Sequence, residues 1–419
     1  MKNQFRSVLG GSIGNLVEWY DWYAYSVFAL YFAGSFFPDE NETAQLLNTA
    51  GIFAIGFLMR PIGGWLMGSY ADRKGRKAGL TLSVLMMSAG SLMIAFVPTY
   101  ESIGILAPVI LVLARMLQGL SIGGEYGSAA TYLSEIAPQG RRGLYSSFQY
   151  VSTTMGQLAA LIILLVLQKG LLSESQLTAW GWRIPFVIGA ILAVSALFLR
   201  KNLSETDQFV SQSDPEEARG TMAGLRNHKK EVFLVVGFTL GLTISYYTFT
   251  TYIQKFLVNT AGFSKSDSTF TTLVTLVVFM LSQPVFGWLG DRYGRKPMMV
   301  IFGIAGTLCF FPLMKKLETV ETVQEAVVFI IIALLILAVS TSISAIVKAE
   351  LFPANVRSLG VSFPYALTVA FFGGTAEYVA LWFKNAGNAD GFYYYLTACM
   401  LITLVASLLI PADRKRLHL

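Results

Sequence analysis

The chain has 419 residues and a net charge of +6, with 54% apolar and only 13% charged residues. That charged share is about half of what soluble domains carry, and a soluble fold cannot hide so much apolar surface from water. The mean hydropathy of +0.57 agrees. The composition excludes a cytosolic enzyme, a disordered chain and a nucleic-acid module, and it indicates a protein that crosses a membrane several times.

Twelve apolar segments are long enough to cross a bilayer, which requires roughly 20 mostly apolar residues. Glycine and proline within these segments do not argue against them, because membrane helices tolerate both. We therefore predict an all-α membrane protein with twelve transmembrane helices. The segments span residues 10–37, 47–70, 78–97, 104–133, 143–168, 184–200, 232–258, 269–289, 297–314, 326–347, 359–384 and 391–411.

The positive charges are distributed unequally between alternate loops. The two termini and every second loop, including 348–358 with Lys348, carry most of the lysines and arginines, whereas the opposite loops carry few. Loops rich in lysine and arginine stay in the cytoplasm, and an even number of spans also places both termini on one side. We predict a multi-pass protein of the inner (plasma) membrane with both termini in the cytoplasm.

The chain contains two similar halves. The loop at 68–77 matches the loop at 287–296, and each copy lies between the second and third spans of its half. We predict an N-terminal six-helix bundle at 1–200, a cytoplasmic linker at 201–231 and a C-terminal six-helix bundle at 232–419. Because the copies have the same orientation, the two bundles should be related by an axis along the membrane normal.

The repeated Gly-x-x-x-Asp-Arg-x-Gly-Arg-Lys loop resembles the signature of the major facilitator superfamily. Residues 115–119 resemble the arginine motif of its proton-coupled members. Segments 14–21, 56–64 and 119–126 resemble the metabolite:proton symporters, which carry 2-oxoglutarate, citrate, shikimate or proline and betaine. The segments that most closely resemble the 2-oxoglutarate carriers of that family are 180–186, 247–262, 348–353 and 373–378.

The resemblance implies the major facilitator fold, with two pseudo-symmetric six-helix bundles and alternating access to one central site. We expect a proton-coupled symporter that imports an anionic dicarboxylate such as 2-oxoglutarate. A symporter for another metabolite (citrate, shikimate, proline or betaine) and an uncoupled uniporter or exchanger remain the alternatives, followed by a channel or a receptor.

The expected partners are the substrate, protons and the lipid bilayer, with no nucleic acid, and we expect a monomer that is not an enzyme. The chain has two histidines and two cysteines. These cannot assemble a metal cluster, so we expect no metal and no cofactor.

Two carboxylates, Glu18 and Asp21, lie three residues apart on one face of the first span. An ionisable side chain that faced lipid unpaired would be costly, and two neighbouring carboxylates favour protonation of one of them. By resemblance, a proton-linked aspartate on this span faces an arginine of the fourth span, here Arg115. We assign proton coupling to Asp21, Glu18 and Arg115, with a purely structural pair as the alternative. Glu125 is assigned to a structural ion pair.

Arg60 and Arg115 are permanent cations at membrane depth, and arginine binds carboxylates in a bidentate fork. We assign both to the anionic substrate, with an internal salt bridge as the alternative for Arg60. Lys255 adds a third cation, or serves as a gate or as a lysine that reaches the membrane surface. The other candidates for substrate binding are Tyr252, Gln254, Gln157 and Glu377, the last of which alternatively balances Lys255 or an arginine. Gln149 is assigned instead to an interhelical hydrogen bond.

The repeated loops contain no catalytic set, and we assign them a conformational role. A carboxylate at a helix end can bind the N-terminus of a neighbouring helix and nearby arginines. The sequence therefore predicts a cytoplasmic latch between the halves, with a set of topology-determining charges as the alternative. The predicted latch residues are Asp72, Arg73, Arg76, Asp291 and Arg292, joined by Glu135, Arg142, Glu350 and Arg357.

Overall fold

The computed structural model describes residues 2–38, 41–74, 76–123, 126, 130, 134, 137–201, 222–353 and 356–411, and the regular structure of these residues is helical. We number the long helices α1 to α12. They are α1 Lys2–Phe36, α2 Glu42–Lys74, α3 Arg76–Phe96, α4 Leu106–Ile122, α5 Arg142–Val166, α6 Ile184–Lys201, α7 Lys229–Tyr247, α8 Lys265–Tyr293, α9 Arg295–Leu317, α10 Val323–Leu351, α11 Arg357–Thr368 and α12 Ala389–Leu409.

Three of these helices continue through a π-helical turn, which accommodates one extra residue per turn. The turn after α5 is Leu167–Leu171, and the turn after α7, Thr248–Tyr252, leads into a further helix, Ile253–Asn259. The turn after α11, Val369–Gly373, leads similarly into Ala376–Asn385. Short helical segments also occupy Tyr100–Ile103, Glu174–Ala179, Gly181–Arg183, Met222–Leu225 and Arg226–His228.

The helices coincide with the twelve apolar segments that the sequence predicts. In the described part of the chain, eight helices are long and apolar enough to cross a membrane. Three shorter apolar helices, Leu85–Phe96, Leu106–Ile122 and Gly181–Ser195, and the long α1 occupy the remaining four segments. One boundary is wrong: Lys348 was placed in a loop, but α10 continues to Leu351 and buries Lys348 completely.

Helices of the same half pack mainly on each other. In the first half, α1 packs on α5, α2 on α4, and α3 on both α4 and α6; in the second, α7 and α9 pack on α12, and α8 on α10. The two halves meet where α5 contacts α8 and α10, and where α2 contacts α11. The α5–α8 and α2–α11 contacts use equivalent helices of the repeat, as expected for two halves related by a pseudo-two-fold axis.

Glycines determine how closely α2 and α4 approach. A Cβ atom added to Gly119 would overlap the carbonyl oxygen of Gly56, and one added to Gly123 would overlap that of Arg60. The two backbones are therefore in direct contact, which small residues permit in membrane helices. This contact holds Arg60 of α2 against α4, the helix that carries Arg115.

We expect Gly119→Ala to destabilise the protein, because the methyl group has no space between α2 and α4. Overpacking of this kind costs about 1–3 kcal/mol. The matched control is Gly170→Ala, whose added Cβ would meet no atom within 4 Å among the described residues. Thermal unfolding in detergent should show a lower midpoint for Gly119→Ala only; equal midpoints for the two variants would contradict the close contact.

Candidate functional site

A small cavity lies between the two halves, lined by residues of α1, α5, α7 and α11 together with Tyr126. Its volume is about 10 Å³, close to the minimum that one water molecule needs. The lining is aromatic with several hydroxyl groups, a combination typical of sites for small polar ligands. The lining residues are Trp19, Tyr126, Gln149, Tyr150, Thr153, Thr243, Tyr246, Tyr247 and Tyr365.

The tyrosines of the cavity wall connect the halves. The rings of Tyr126 and Tyr365 are stacked, with centroids 3.6 Å apart and an interplanar angle of 11°. The ring of Tyr246 lies edge-on to Tyr150 at 5.4 Å, and its hydroxyl is 2.9 Å from the hydroxyl of Tyr23. These tyrosines are not among the predicted site residues, and the run of hydroxyl-bearing residues at 245–252 in the seventh span is a signal that could have pointed to this region.

Arg60 lies behind one wall of the cavity in a clamp of aromatic rings. Its guanidinium carbon is 3.9 Å from the ring centroid of Phe57, 4.3 Å from Trp22 and 5.1 Å from Trp19, and Trp19 lines the cavity. The side chain is buried, and its Nε and Nη2 atoms have no hydrogen-bond partner within the described residues. Aromatic faces stabilise a cation but leave the donors at Nε and Nη2 unused by the described residues, so Arg60 keeps the capacity to bind an anion.

Asp21 is linked to Arg115 through Gln118. Arg115 Nη1 donates to Gln118 Oε1 at 2.6 Å, and Gln118 Nε2 donates to Asp21 Oδ2 at 3.1 Å. Ser91 Oγ also donates to Asp21 Oδ2. Asp21 is completely buried within the first half, and its Oδ1 atom has no hydrogen-bond partner among residues that the structure describes. The sequence predicts that Asp21 faces Arg115. In the structure the two are joined by Gln118, for which we made no prediction.

The same buried region holds the other predicted proton residue and connects to Arg60. Glu18 is buried on α1, one turn before Asp21. The Arg115 guanidinium carbon is 4.0 Å from the Trp22 ring centroid, so Trp22 contacts the guanidiniums of both Arg115 and Arg60. Asp21, Arg115 and Arg60 are therefore parts of one contact network.

Lys255 and Glu377 form a buried ion pair at the interface of the halves. Lys255 Nζ is 2.5 Å from Glu377 Oε1 and donates to Ser26 Oγ at 2.9 Å. Ser26 belongs to α1, whereas Lys255 and Glu377 belong to the second half. This geometry matches the alternative in which Glu377 balances Lys255, and it leaves the pair without net charge.

The remaining predicted substrate residues lie in, follow or contact the π-helical turn of the seventh span. The Tyr252 ring packs against Phe392 of α12 at 6.1 Å. Gln254 Nε2 donates to Thr269 Oγ1 at 3.1 Å on α8. Gln157 Nε2 donates to the carbonyl oxygen of Thr250. These three side chains hold helices together, whereas Gln149, which was assigned to a helix–helix hydrogen bond, lines the cavity.

Asp291 makes the contact that the latch hypothesis describes. Its Oδ1 and Oδ2 atoms accept hydrogen bonds from the backbone N–H groups of Gly143 at 2.8 Å and Leu144 at 2.9 Å. These are free N–H groups of the first turn of α5, which attract a negative charge. Arg295 bridges Asp291 at 3.2 Å and Glu350 at 3.3 Å. We call Asp291, Arg295, Glu350 and the start of α5 the latch.

Other predicted latch residues have different positions. Arg292 is exposed and lies beside the Trp288 ring, so Arg295, one turn later, takes the place expected for it. Arg142 begins α5, and Arg357 Nε donates to the carbonyl oxygens of Ala349 and Phe352. Outside the described part of the chain lie the side chains of Asp72, Arg73 and Arg76 and the whole of Glu125 and Glu135.

Lys348 is a cation of this region that the sequence analysis placed in a loop. Its Nζ atom donates to the hydroxyl of Tyr126 at 3.0 Å and to Ser344 Oγ at 2.8 Å. It also lies 4.3 Å from the ring centroid of Tyr365. Ser344 is one helical turn before Lys348, so a helical extension of the apolar run at 326–347 is the signal that could have placed Lys348 inside.

Comparison with known proteins gives consistent results. The family model "Sugar (and other) transporter" matches residues 8–231 and 211–415. The chain is 49% identical to the alpha-ketoglutarate permease of Escherichia coli (strain K12), covering 99% of this chain and 95% of that protein. It is 32% identical to the citrate-proton symporter of Klebsiella pneumoniae, covering 88% of this chain and 83% of that protein.

A solved structure of a D-xylose-proton symporter superposes with a TM-score of 0.74 at 20% identity, covering 98% of this chain and 99% of that chain. At this identity the likeness concerns the fold. Together with the family match, it confirms the predicted major facilitator fold, and the relatives just named are transporters rather than enzymes.

We expect Glu377→Met to destabilise the protein strongly, because it leaves the ammonium group of Lys255 buried without its carboxylate. Removing one partner of a buried pair typically costs about 3–5 kcal/mol, whereas replacing both partners by apolar residues is often neutral. The double variant Lys255→Met/Glu377→Met should therefore recover most of the stability. Unfolding midpoints in detergent test this prediction. A double variant whose midpoint falls by the sum of the two single decreases would contradict charge compensation between Lys255 and Glu377.

Proposed function

This chain belongs to the sugar (and other) transporter family, and we propose that it is a proton-coupled symporter that imports a dicarboxylate such as 2-oxoglutarate (alpha-ketoglutarate) by alternating access. The observation that carries the proposal is Arg60, a buried guanidinium with unused N–H donors beside a cavity between the halves. The 49% identity to a permease for this dicarboxylate supports the same substrate class.

The substrate site in this proposal is the tyrosine-lined cavity. Arg60 would bind one carboxylate through two parallel hydrogen bonds, the arrangement that its planar group favours. The tyrosine hydroxyls and the amide of Gln149, whose Nε2 atom has no hydrogen-bond partner in the described part of the chain, would orient the remaining oxygens. The cavity must widen to admit the substrate, since its present volume suits a single water.

Proton coupling is assigned to Asp21, with Glu18 as its neighbour. Oδ1 accepts no hydrogen bond from the described residues, so a proton could be added there without breaking one. The proton would nevertheless neutralise the negative charge that attracts the Gln118 amide. Gln118 also holds Arg115, and Arg115 shares the Trp22 ring with Arg60. A proton on Asp21 would thus loosen Arg115 and shift the aromatic clamp around Arg60, which links proton uptake to substrate binding.

Alternating access requires contacts that close each end in turn. At one end, the latch joins Asp291 of the second half to α5 of the first. At the opposite end, Thr43 contacts Asn259 at 3.3 Å, and Lys265 pairs with Glu174 at 3.1 Å. The Lys255–Glu377 pair, with Ser26, would belong to this second set of closures. We place the latch end and both termini in the cytoplasm and expect a monomer in the inner membrane.

The direct test is transport by the purified protein in proteoliposomes. We expect labelled 2-oxoglutarate to accumulate against its gradient when the outside is more acidic, because protons drive the uptake. A protonophore should abolish the accumulation, and protein-free liposomes serve as the control. Uptake that ignores the protonophore would instead favour a uniporter or exchanger. Uptake of citrate, shikimate or proline in place of 2-oxoglutarate would assign another substrate.

We expect Asp21→Asn to abolish proton-driven accumulation and to leave exchange of 2-oxoglutarate across the membrane measurable. The amide cannot carry the transported proton, but it keeps the size of the side chain and a hydrogen-bonding oxygen. Glu101→Gln, an exposed carboxylate away from the site, is the matched control and should transport normally. Persistent accumulation by Asp21→Asn would show that another group carries the proton.

A further inference from the structure

Lys348 is a fully buried ammonium group held by neutral oxygens. Its hydrogen-bond partners in the described part of the chain are the hydroxyls of Tyr126 and Ser344, which carry no negative charge. Among the ion pairs of the described residues, none includes Lys348. A buried charge without a counter-charge is destabilising. Of the three donors of a lysine ammonium group, two are used by the described residues. Lys348 is therefore suited to receive an anion.

The position of Lys348 near the cavity indicates which anion it would bind. Tyr126 and Tyr365 form one part of the cavity wall, and the Lys348 Nζ atom lies against both rings, 5.2 Å and 4.3 Å from their centroids. Arg60 lies behind another part of the wall, against Trp19. Two buried cations, one from each half of the chain, thus contact aromatic rings that line the same cavity.

We propose that Lys348 binds the second carboxylate of the substrate while Arg60 binds the first. This inference rests on the proposed function and adds to it the residue that distinguishes a dicarboxylate from a monocarboxylate. A dicarboxylate compensates both buried cations at once, whereas a monocarboxylate leaves one of them uncompensated. This difference in charge compensation makes the site select dicarboxylates over monocarboxylates.

The same arrangement connects substrate binding to closure of the two halves. Arg60 belongs to α2 of the first half, and Lys348 belongs to α10 of the second. A substrate that contacts both cations draws the halves together across the cavity. The carboxylate would accept a hydrogen bond from the third donor of Lys348. Because the stacked rings of Tyr126 and Tyr365 lie against that ammonium group, the two rings would separate when the substrate enters.

The test compares two probes of equal chain length in proteoliposomes: labelled 2-oxoglutarate, and 2-oxopentanoate as a competitor that lacks the second carboxylate. The variants are Lys348→Met and, as the matched control, Lys316→Met, which removes an exposed lysine of the same half. We expect Lys348→Met to raise the KM for 2-oxoglutarate tenfold or more and to change the inhibition constant of 2-oxopentanoate less than about twofold. Lys348→Arg should restore at least part of the preference, and Lys316→Met should match the wild type.

Each outcome decides between a binding role and a structural role. The proposal would be overturned if Lys348→Met raised the KM for 2-oxoglutarate and the inhibition constant of 2-oxopentanoate by the same factor, or if it left the preference for the dicarboxylate unchanged. If Lys348→Met does not fold, Lys348→Gln replaces it, because its amide can still donate to Tyr126 and Ser344 but carries no charge. Failure of the wild type to transport 2-oxoglutarate would reject the proposed function itself, whereas normal wild-type transport with an unselective role for Lys348 would reject this inference alone.

Discussion

The aromatic clamp around Arg60 is the interaction on which the proposed mechanism depends. A permanent cation in the membrane interior is expensive unless something compensates it. The buried charged groups are stabilised in different ways. Lys255 pairs with Glu377, and Asp21 accepts a hydrogen bond from Gln118. Arg60 rests on the rings of Phe57, Trp22 and Trp19, which stabilise the cation and leave donors for a ligand. The direct backbone contact of α2 with α4 holds this clamp in place.

The duplicated architecture explains where the halves join. Equivalent helices meet at α5–α8 and α2–α11, and the cavity between the halves is lined by the equivalent pairs α1 with α7 and α5 with α11. The latch at Asp291 closes the α5–α8 interface at one end, and hydrogen bonds such as Thr43–Asn259 join the halves at the other. The described contacts therefore join the halves at both ends, and alternating access would require one set to break while the other holds.

Much of the fold could be predicted because it depends on simple physical quantities. Apolar runs of about 20 residues identify the spans, and the repeated loop identifies the duplication. The contact of Asp291 with the start of α5 also follows from the sequence, since a carboxylate in this loop needs nearby donors. Arg295 rather than Arg292 completes that contact, because only the residue one turn later faces Asp291.

The details of the cavity were harder to predict, and the π-helical turn at Thr248–Tyr252 is the main reason. One extra residue rotates the following helix by about 100° relative to an uninterrupted α-helix. Tyr252, the last residue of the turn, contacts α12, and Gln254, after the turn, contacts α8, whereas Tyr246 and Tyr247, before the turn, line the cavity. The prediction for Lys348 is wrong for a different reason. A charged residue at the end of an apolar run is typical of a loop, but here the helix continues past it to Leu351.

The most direct test of the central claim is the affinity of purified protein for 2-oxoglutarate, measured by isothermal titration calorimetry, with Arg60→Lys compared to the wild type. Lysine keeps the charge but loses the bidentate fork, and a hydrogen bond to a charged group contributes about 1.5–3 kcal/mol. We predict an affinity at least about tenfold lower for Arg60→Lys. Arg183→Lys, which alters an arginine bound to backbone carbonyls of Ala95 and Val97, should bind as the wild type does. Wild-type affinity in Arg60→Lys would contradict the assignment of this guanidinium to the substrate.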